Sequence, residues 1–155
     1  MNTKDFMQLA INLAINSIDN GGGPFGAVIV KDGEIISQSS NSVTLDTDPT
    51  AHAEINAIRK AAKKLNSFDL SGCEIYSSCE PCPMCLGAIY WAKIEHLYFG
   101  ANQKDADEIG FSDEFIYKEI EKPYEYRNLK TDNMMREEAL EAFNKWKDFE
   151  GKIEY

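Results

Sequence analysis

No stretch of the 155-residue chain approaches the run of about 20 apolar residues that a membrane-spanning helix requires. The first residues, Met1-Asn2-Thr3-Lys4-Asp5-Phe6, lack a basic cluster followed by an apolar segment, so no secretory leader is expected. Basic residues are scarce: 16 Lys and Arg stand against 26 Asp and Glu, a formal net charge of -10. A domain of that sign lacks the electrostatic footprint of a phosphate-backbone binder, and no nucleic-acid partner is expected. Low-complexity tracts, internal repeats and linkers are also missing, so one domain burying about 70% of its unfolded surface is expected. With four cysteines and no export signal, the expected compartment is the reducing cytoplasm. There a C-x-x-C pair more often means metal or redox chemistry than a structural disulfide.

Two short stretches carry the chemistry: Ala51-His52-Ala53-Glu54, and Cys79-Glu80-Pro81-Cys82-Pro83-Met84-Cys85. Cys82 and Cys85 are three apart, so on a helix starting near Pro83 their sulfurs share a face. With His52 they make three protein ligands, the number typical of a catalytic zinc, and leave a fourth tetrahedral position open. Glu54 then has a role that no ligand fills, moving protons beside the metal. Side chains two apart on a helix diverge by about 200°, so His52 and Glu54 can serve one site only if it lies off the helix N-terminus. Asp48-Pro49-Thr50 is expected to supply that end, as a capping side chain and a first-turn proline. Two helix N-termini would then converge on the metal, favouring thiolates over thiols. H-x-E followed by P-C-x-x-C is the signature of zinc nucleobase deaminases, so this part of the reading is a pattern match.

A bland reading stands beside each of these. A lone C-x-x-C also fits a redox pair or half of a structural zinc site, with Cys79 as a possible further ligand; neither alternative gives His-x-Glu a role. Cys73 and Cys79 otherwise read as buried structural residues, and His96 as structural within a strand. Phe25 and Trp91 are core residues or walls of a pocket.

Periodicity predicts a helix over 3–20, a strand over 27–30, a two-residue turn at Asp32-Gly33 and a returning strand over 34–38. A polar loop over 39–50 carries Asn41 towards a helix that runs from His52 to about Leu65, with Ile55, Ile58 and Ala62 facing inward. A strand over 73–77, a helix over 84–92 and a strand over 94–99 form a crossover that favours parallel pairing. A short helix is expected over 113–120 and a helix with a charged outer face over 134–149; the segment 122–133 has no assignable structure.

The chain resembles the cytidine-deaminase-like superfamily and, within it, the compact bacterial guanine deaminases. The likeness is carried by the zinc motifs, by Gly22-Gly23-Pro24-Phe25-Gly26 with the hairpin after it, and by Gly110-Phe111-Ser112-Asp113-Glu114-Phe115. The last of these points to guanine. The resemblance implies an α/β fold, a three-layer α/β/α sandwich around a mixed sheet, with a Zn2+ cofactor. It also implies zinc ligands His52, Cys82 and Cys85, proton shuttle Glu54, and purine contacts from Asn41, Phe25, Ala53, Trp91, Asp113 and Tyr155. It further implies a homodimer in which the C-terminal segment caps a site, in its own chain or by exchange. The expected reaction is hydrolytic deamination of guanine to xanthine and ammonia. The alternatives are deamination of another free base or nucleoside, of adenosine in tRNA, or a zinc-stabilised binding protein without turnover.

Overall fold

The computed structural model describes residues 1–155, in two compact units, 1–117 and 118–155. The first unit opens with α1 (Thr3–Asp19), whose N-cap Asn2 accepts from Lys4 N and Asp5 N while Asp5 accepts from Asn2 N in return. Strands β1 (Gly26–Lys31) and β2 (Glu34–Ser40) follow as an antiparallel hairpin. Its turn residues Asp32 and Gly33 both sit at positive φ, 52° and 78°, the conformation that matches the twist of paired strands. The expected loop beyond it is partly ordered: β2 continues to Ser40, and a single turn, α2 (Val43–Asp46), precedes α3 (Ala53–Leu65).

Strand β3 (Cys73–Cys79) lies antiparallel to β1 and parallel to β4 (His96–Ala101), with α4 (Pro83–Trp91) as the crossover. The sheet order is β2-β1-β3-β4, so the two central strands are β1 and β3. Strand alternation sends Ala27, Ile29 and Ile75 to one face, where α3 and α4 bring Ala53, Ala57, Ala61 and Ile89. Val28, Val30 and Tyr76 point to the other, against Phe6 and Ala10 of α1. Helices therefore cover both faces of a mixed sheet, the expected three-layer sandwich. Close approach of α1 requires Gly26, where a Cβ would lie 2.2 Å from the Ala10 carbonyl oxygen.

The inward face of α3 differs from the expectation by one position. Ala53, Ala57 and Ala61 are fully buried, while Ile58 and Ala62 pack at the margin of the core and Ile55 is only half-buried. Alanines occupy the contact line because the helix lies close on the sheet, and its first turn buries Glu54 beside Ala53. After β4 the sequence pattern fades, yet α5 (Gln103–Glu108) forms, nucleated by an Asn102–Asp105 capping box. Helix α6 (Asp113–Glu121) starts in the first unit and ends in the second.

In the second unit the previously unassigned stretch holds a 3-10 turn, Tyr124–Tyr126. Arg127 donates to the Glu119 and Lys122 carbonyls, closing the end of α6, and the Asn128 amide donates to Glu119 Oε2 at 2.7 Å. Helix α7 (Arg136–Asp148) begins two residues later than expected and buries none of its side chains.

Candidate active site

His52 and Cys82 occupy the same structural position on different helices. Each is an N-cap with extended backbone, at φ -68°, ψ 156° and φ -64°, ψ 168°. Asp48 does not cap α3, contrary to expectation. Its Oδ1 accepts from the backbone and hydroxyl of Thr50 at 2.8 and 2.7 Å, bracing the turn before the helix and leaving the cap position to His52. Pro83 follows Cys82 as the first residue of α4, where its missing N–H removes no helical bond. Cys85, on the first turn, is fully buried.

His52 Nδ1 lies 3.5 Å from Cys82 Sγ and 3.4 Å from Cys85 Sγ, and the three donor atoms all fall within 4.8 Å of one another. Tetrahedral zinc with ordinary Zn–N and Zn–S bonds would place such an N and S about 3.6 Å apart, so the donor set fits that ion. The Cys82 thiol is held well below its ordinary range by its hydrogen bond with Cys85 and by His52; Cys85 is pushed up by that same bond and by burial. A metal that takes both sulfurs as thiolates would displace the proton the pair retains. His52 is raised above its usual value, chiefly by its hydrogen bond with Cys82. Cys79 stays outside the cluster: its thiol faces the Asn102 carbonyl at 3.8 Å, and burial pushes it up to about 11. His96 stacks on Tyr98 with ring centroids 4.0 Å apart and takes no part in the site.

Glu54, on the first turn of α3, is 5% exposed. Its two oxygens have different partners: Ser77 Oγ donates to Oε1 at 2.8 Å, and Cys85 Sγ donates to Oε2 at 3.4 Å. Burial raises its pKa above the usual carboxylate value.

A cavity of about 300 Å³ opens onto these groups, and Phe25, Asn41, His52, Glu54, Phe111 and Asp113 contribute to its walls. Asn41 is buried; its Oδ1 accepts from Val43 N at 3.1 Å, so the NH2 group is what it can offer a ligand. Gly23 gives it room, since a Cβ there would lie 3.1 Å from Asn41 Cγ. Phe25 meets Phe111 edge to face at 4.9 Å between centroids, making an aromatic corner. Asp113 heads α6, which Tyr117 ties to the cysteine motif by a 2.8 Å bond to the Pro81 carbonyl. Burial raises its carboxyl to about 6.

The other expected contacts are placed differently. The Ala53 side chain belongs to the core, so only its backbone could serve a ligand. Trp91 ends α4 with 68% of its surface exposed and does not line this cavity; the aromatic partner of Phe25 is Phe111. Tyr155 belongs to the second unit and is 73% exposed. Sequence reasoning missed Phe111, although it sits two residues before Asp113 in a segment already singled out, and it missed Ser77, a hydroxyl on an otherwise apolar strand face.

A family model described as the cytidine and deoxycytidylate deaminase zinc-binding region matches residues 1–101. The chain is 52% identical to a guanine deaminase of Bacillus subtilis (strain 168) over 156 residues, covering 100% of both proteins. An X-ray structure of guanine deaminase from Bacillus subtilis superposes with a TM-score of 0.97 at 52% identity, covering 100% of this chain and 99% of the other. A tRNA-specific adenosine deaminase of Aquifex aeolicus is 45% identical over 104 residues, 67% of this chain and 69% of that protein.

Proposed function

The chain belongs to the cytidine and deoxycytidylate deaminase zinc-binding family, and from that membership we propose that it is a zinc-dependent aminohydrolase converting guanine and water to xanthine and ammonia. The observation that carries the choice of base is the likeness to a guanine deaminase along the whole chain, whereas the similarity to the Aquifex aeolicus tRNA enzyme spans 67% of it. The net charge of -10 also disfavours a polyanionic substrate.

His52, Cys82 and Cys85 would hold the zinc. When bound, the ion supplies Lewis-acid chemistry and acidifies water at neutral pH. Glu54 does the proton work. Its carboxylate takes a proton from the attacking water and delivers it to the ring nitrogen beside C2. It next takes the proton of the hydroxyl now bonded to C2 and passes it to the departing amine. The carbonyl of xanthine forms as the C2–N bond breaks and ammonia, a far better leaving group than amide ion, departs. The burial that raises its pKa suits a group that must both accept and return a proton. A flat purine fits the apolar corner of Phe25 and Phe111, with the Asn41 NH2 reading a ring acceptor and the Asp113 carboxylate reading donors. The Ala53 backbone and Tyr155 complete the proposed contacts, the latter through a homodimer whose C-terminal segments cap the sites. The proposed setting is cytoplasmic purine breakdown.

The test is to incubate zinc-loaded protein with a panel of purine and pyrimidine bases and nucleosides while measuring ammonia. Release from guanine with xanthine formed in equal amount is expected. Turnover of adenosine or cytidine without guanine would overturn the reading.

A further inference from the structure

Strand β3 turns Cys73, Ile75 and Ser77 to the face covered by α3 and α4, where the first two belong to the apolar core. Ser77 is the polar member of that row, and only 1% of it is exposed. Burying a hydroxyl among apolar groups is unfavourable unless it makes a hydrogen bond. Ser77 makes one, to Glu54 Oε1 at 2.8 Å. The next residue on the strand, Ser78, points to the opposite face and accepts from Gly26 N at 3.0 Å, so the two hydroxyls serve different layers. Ser77 Oγ and Glu54 are anchored on a central strand and a helix end, both rigid elements.

We infer that Ser77 is a positioning residue for proton transfer: its hydroxyl fixes Glu54 through Oε1 and commits Oε2 to the reacting groups. Oε2 is the oxygen on the side of Cys85, at 3.4 Å from a metal-ligand sulfur, and is therefore the one placed to receive and return the proton. Without the Ser77 bond the carboxylate is free to rotate about its terminal torsion, which is broad and twofold for glutamate. Intermediate torsions then aim neither oxygen at the reacting groups, and the productive orientation is populated for only part of the time. This inference rests on the deaminase reading above, and it adds a residue that neither contacts substrate nor ligates metal.

The test compares Ser77→Ala and Ser77→Thr with the wild-type enzyme, all zinc-loaded. Loss of an outer partner of this kind lowers activity by roughly tenfold to a hundredfold. Ser77→Ala should show that loss in kcat with KM changed by less than about threefold, the signature of an interaction used in the chemical step. Zinc stoichiometry and cooperative unfolding should be retained, and Ser77→Thr should recover most of the lost kcat. A crystal structure of zinc-loaded Ser77→Ala should show the Glu54 carboxylate turned or spread over two orientations. An unchanged Glu54 in that crystal overturns the inference whatever the activity, as does kcat within about threefold of wild type per zinc-loaded molecule. If Ser77→Ala does not fold, Ser77→Cys keeps the size with a far weaker donor; a wild-type kcat there overturns the inference, and a selective fall in kcat supports it. Absence of guanine turnover in the wild-type control would instead count against the proposed reaction, leaving the crystal to decide the role of Ser77.

Discussion

His52 Nδ1 and Cys82 Sγ lie 3.5 Å apart although the residues are 30 positions apart in sequence, because each caps the N-terminus of its own helix. Both helix ends present their positive poles to the same point, which lowers the free energy of thiolates there. A cap position also resolves the angular conflict between His52 and Glu54. His52 sits outside the helical turn, so Glu54 can face inward from the first turn of α3 without competing for the same direction.

Separation of metal binding from proton transfer is the first expected outcome. Glu54→Ala should retain stoichiometric zinc and a folded chain yet lose turnover by several orders of magnitude. Cys82→Ala should lose both, since two remaining ligands fall short of the three used by catalytic zinc sites. Metal analysis beside kcat measurements distinguishes the two variants. Substantial activity in Glu54→Ala would remove the shuttle role.

The site was legible in the sequence to the extent that it depends on local spacing. Cys82, Pro83 and Cys85 lie within four residues, so helix geometry alone fixes their relation, and the same holds for His52 and Glu54. Ser77 and Phe111 were not legible because their roles arise between elements: Ser77 reaches Glu54 from a neighbouring layer, and Phe111 meets Phe25 across 86 positions. The fold shows the same division. The hairpin and the β3-α4-β4 crossover follow from turn chemistry and periodicity. The face that α3 buries was misread by one position, because alanines carry little hydrophobic signal where close helix–sheet packing selects them for size.

Packing of α1 supplies a second prediction. Gly26→Ala would place a Cβ 2.2 Å from the Ala10 carbonyl oxygen and 2.8 Å from Ala14 N, both backbone atoms that cannot swing aside. A loss of about 2–3 kcal/mol is expected for overpacking a well-filled interior. Urea denaturation measures it. A change below about 0.5 kcal/mol, the range of ordinary surface substitutions, would mean that α1 shifts freely.

Alkaline pH should expose Tyr76. This residue is 1% exposed, and burial, followed by its bond to Glu74, raises its hydroxyl to about 12. Between pH 10 and 12 the unfolded chain releases that proton while the folded chain keeps it. The unfolded state therefore binds fewer protons, and stability falls as pH rises through that window. Tyr76→Phe has no such proton and should show a shallower decline there, even if weaker at neutral pH. Equal slopes for both proteins would disprove the assignment.

Removal of Gly151 to Tyr155 tests the proposed capping segment. Chain ends are commonly frayed and dispensable, so an inert tail is the competing expectation. If the tail closes the site, the truncated protein should show a raised KM or lowered kcat with its unfolding temperature little changed. Kinetics identical to the full chain would eliminate the cap.

Asp113 is expected to select guanine over adenine. Guanine presents two donors side by side, the N1 proton and the 2-amino group, whereas adenine presents an acceptor at N1 beside its amine. An ionised carboxylate only accepts, so it matches the first edge and repels the second. Sites that pair a substrate's polar groups can reject a mismatched analogue by about four or five powers of ten, because a buried polar group is otherwise left unsatisfied. The competing role for Asp113 is structural, as an acidic residue in the first turn of α6. Asp113→Asn preserves the size but replaces an acceptor with a donor. It should reduce kcat/KM for guanine far more than for adenine, with little change in melting temperature. Because burial raises this carboxyl to about 6, acidification through that value protonates it and turns it into a donor. Apparent guanine affinity should therefore weaken as pH falls through about 6, and that limb should vanish in Asp113→Asn. Lost stability with intact kcat/KM and an unchanged pH profile would reduce Asp113 to a helix-end charge.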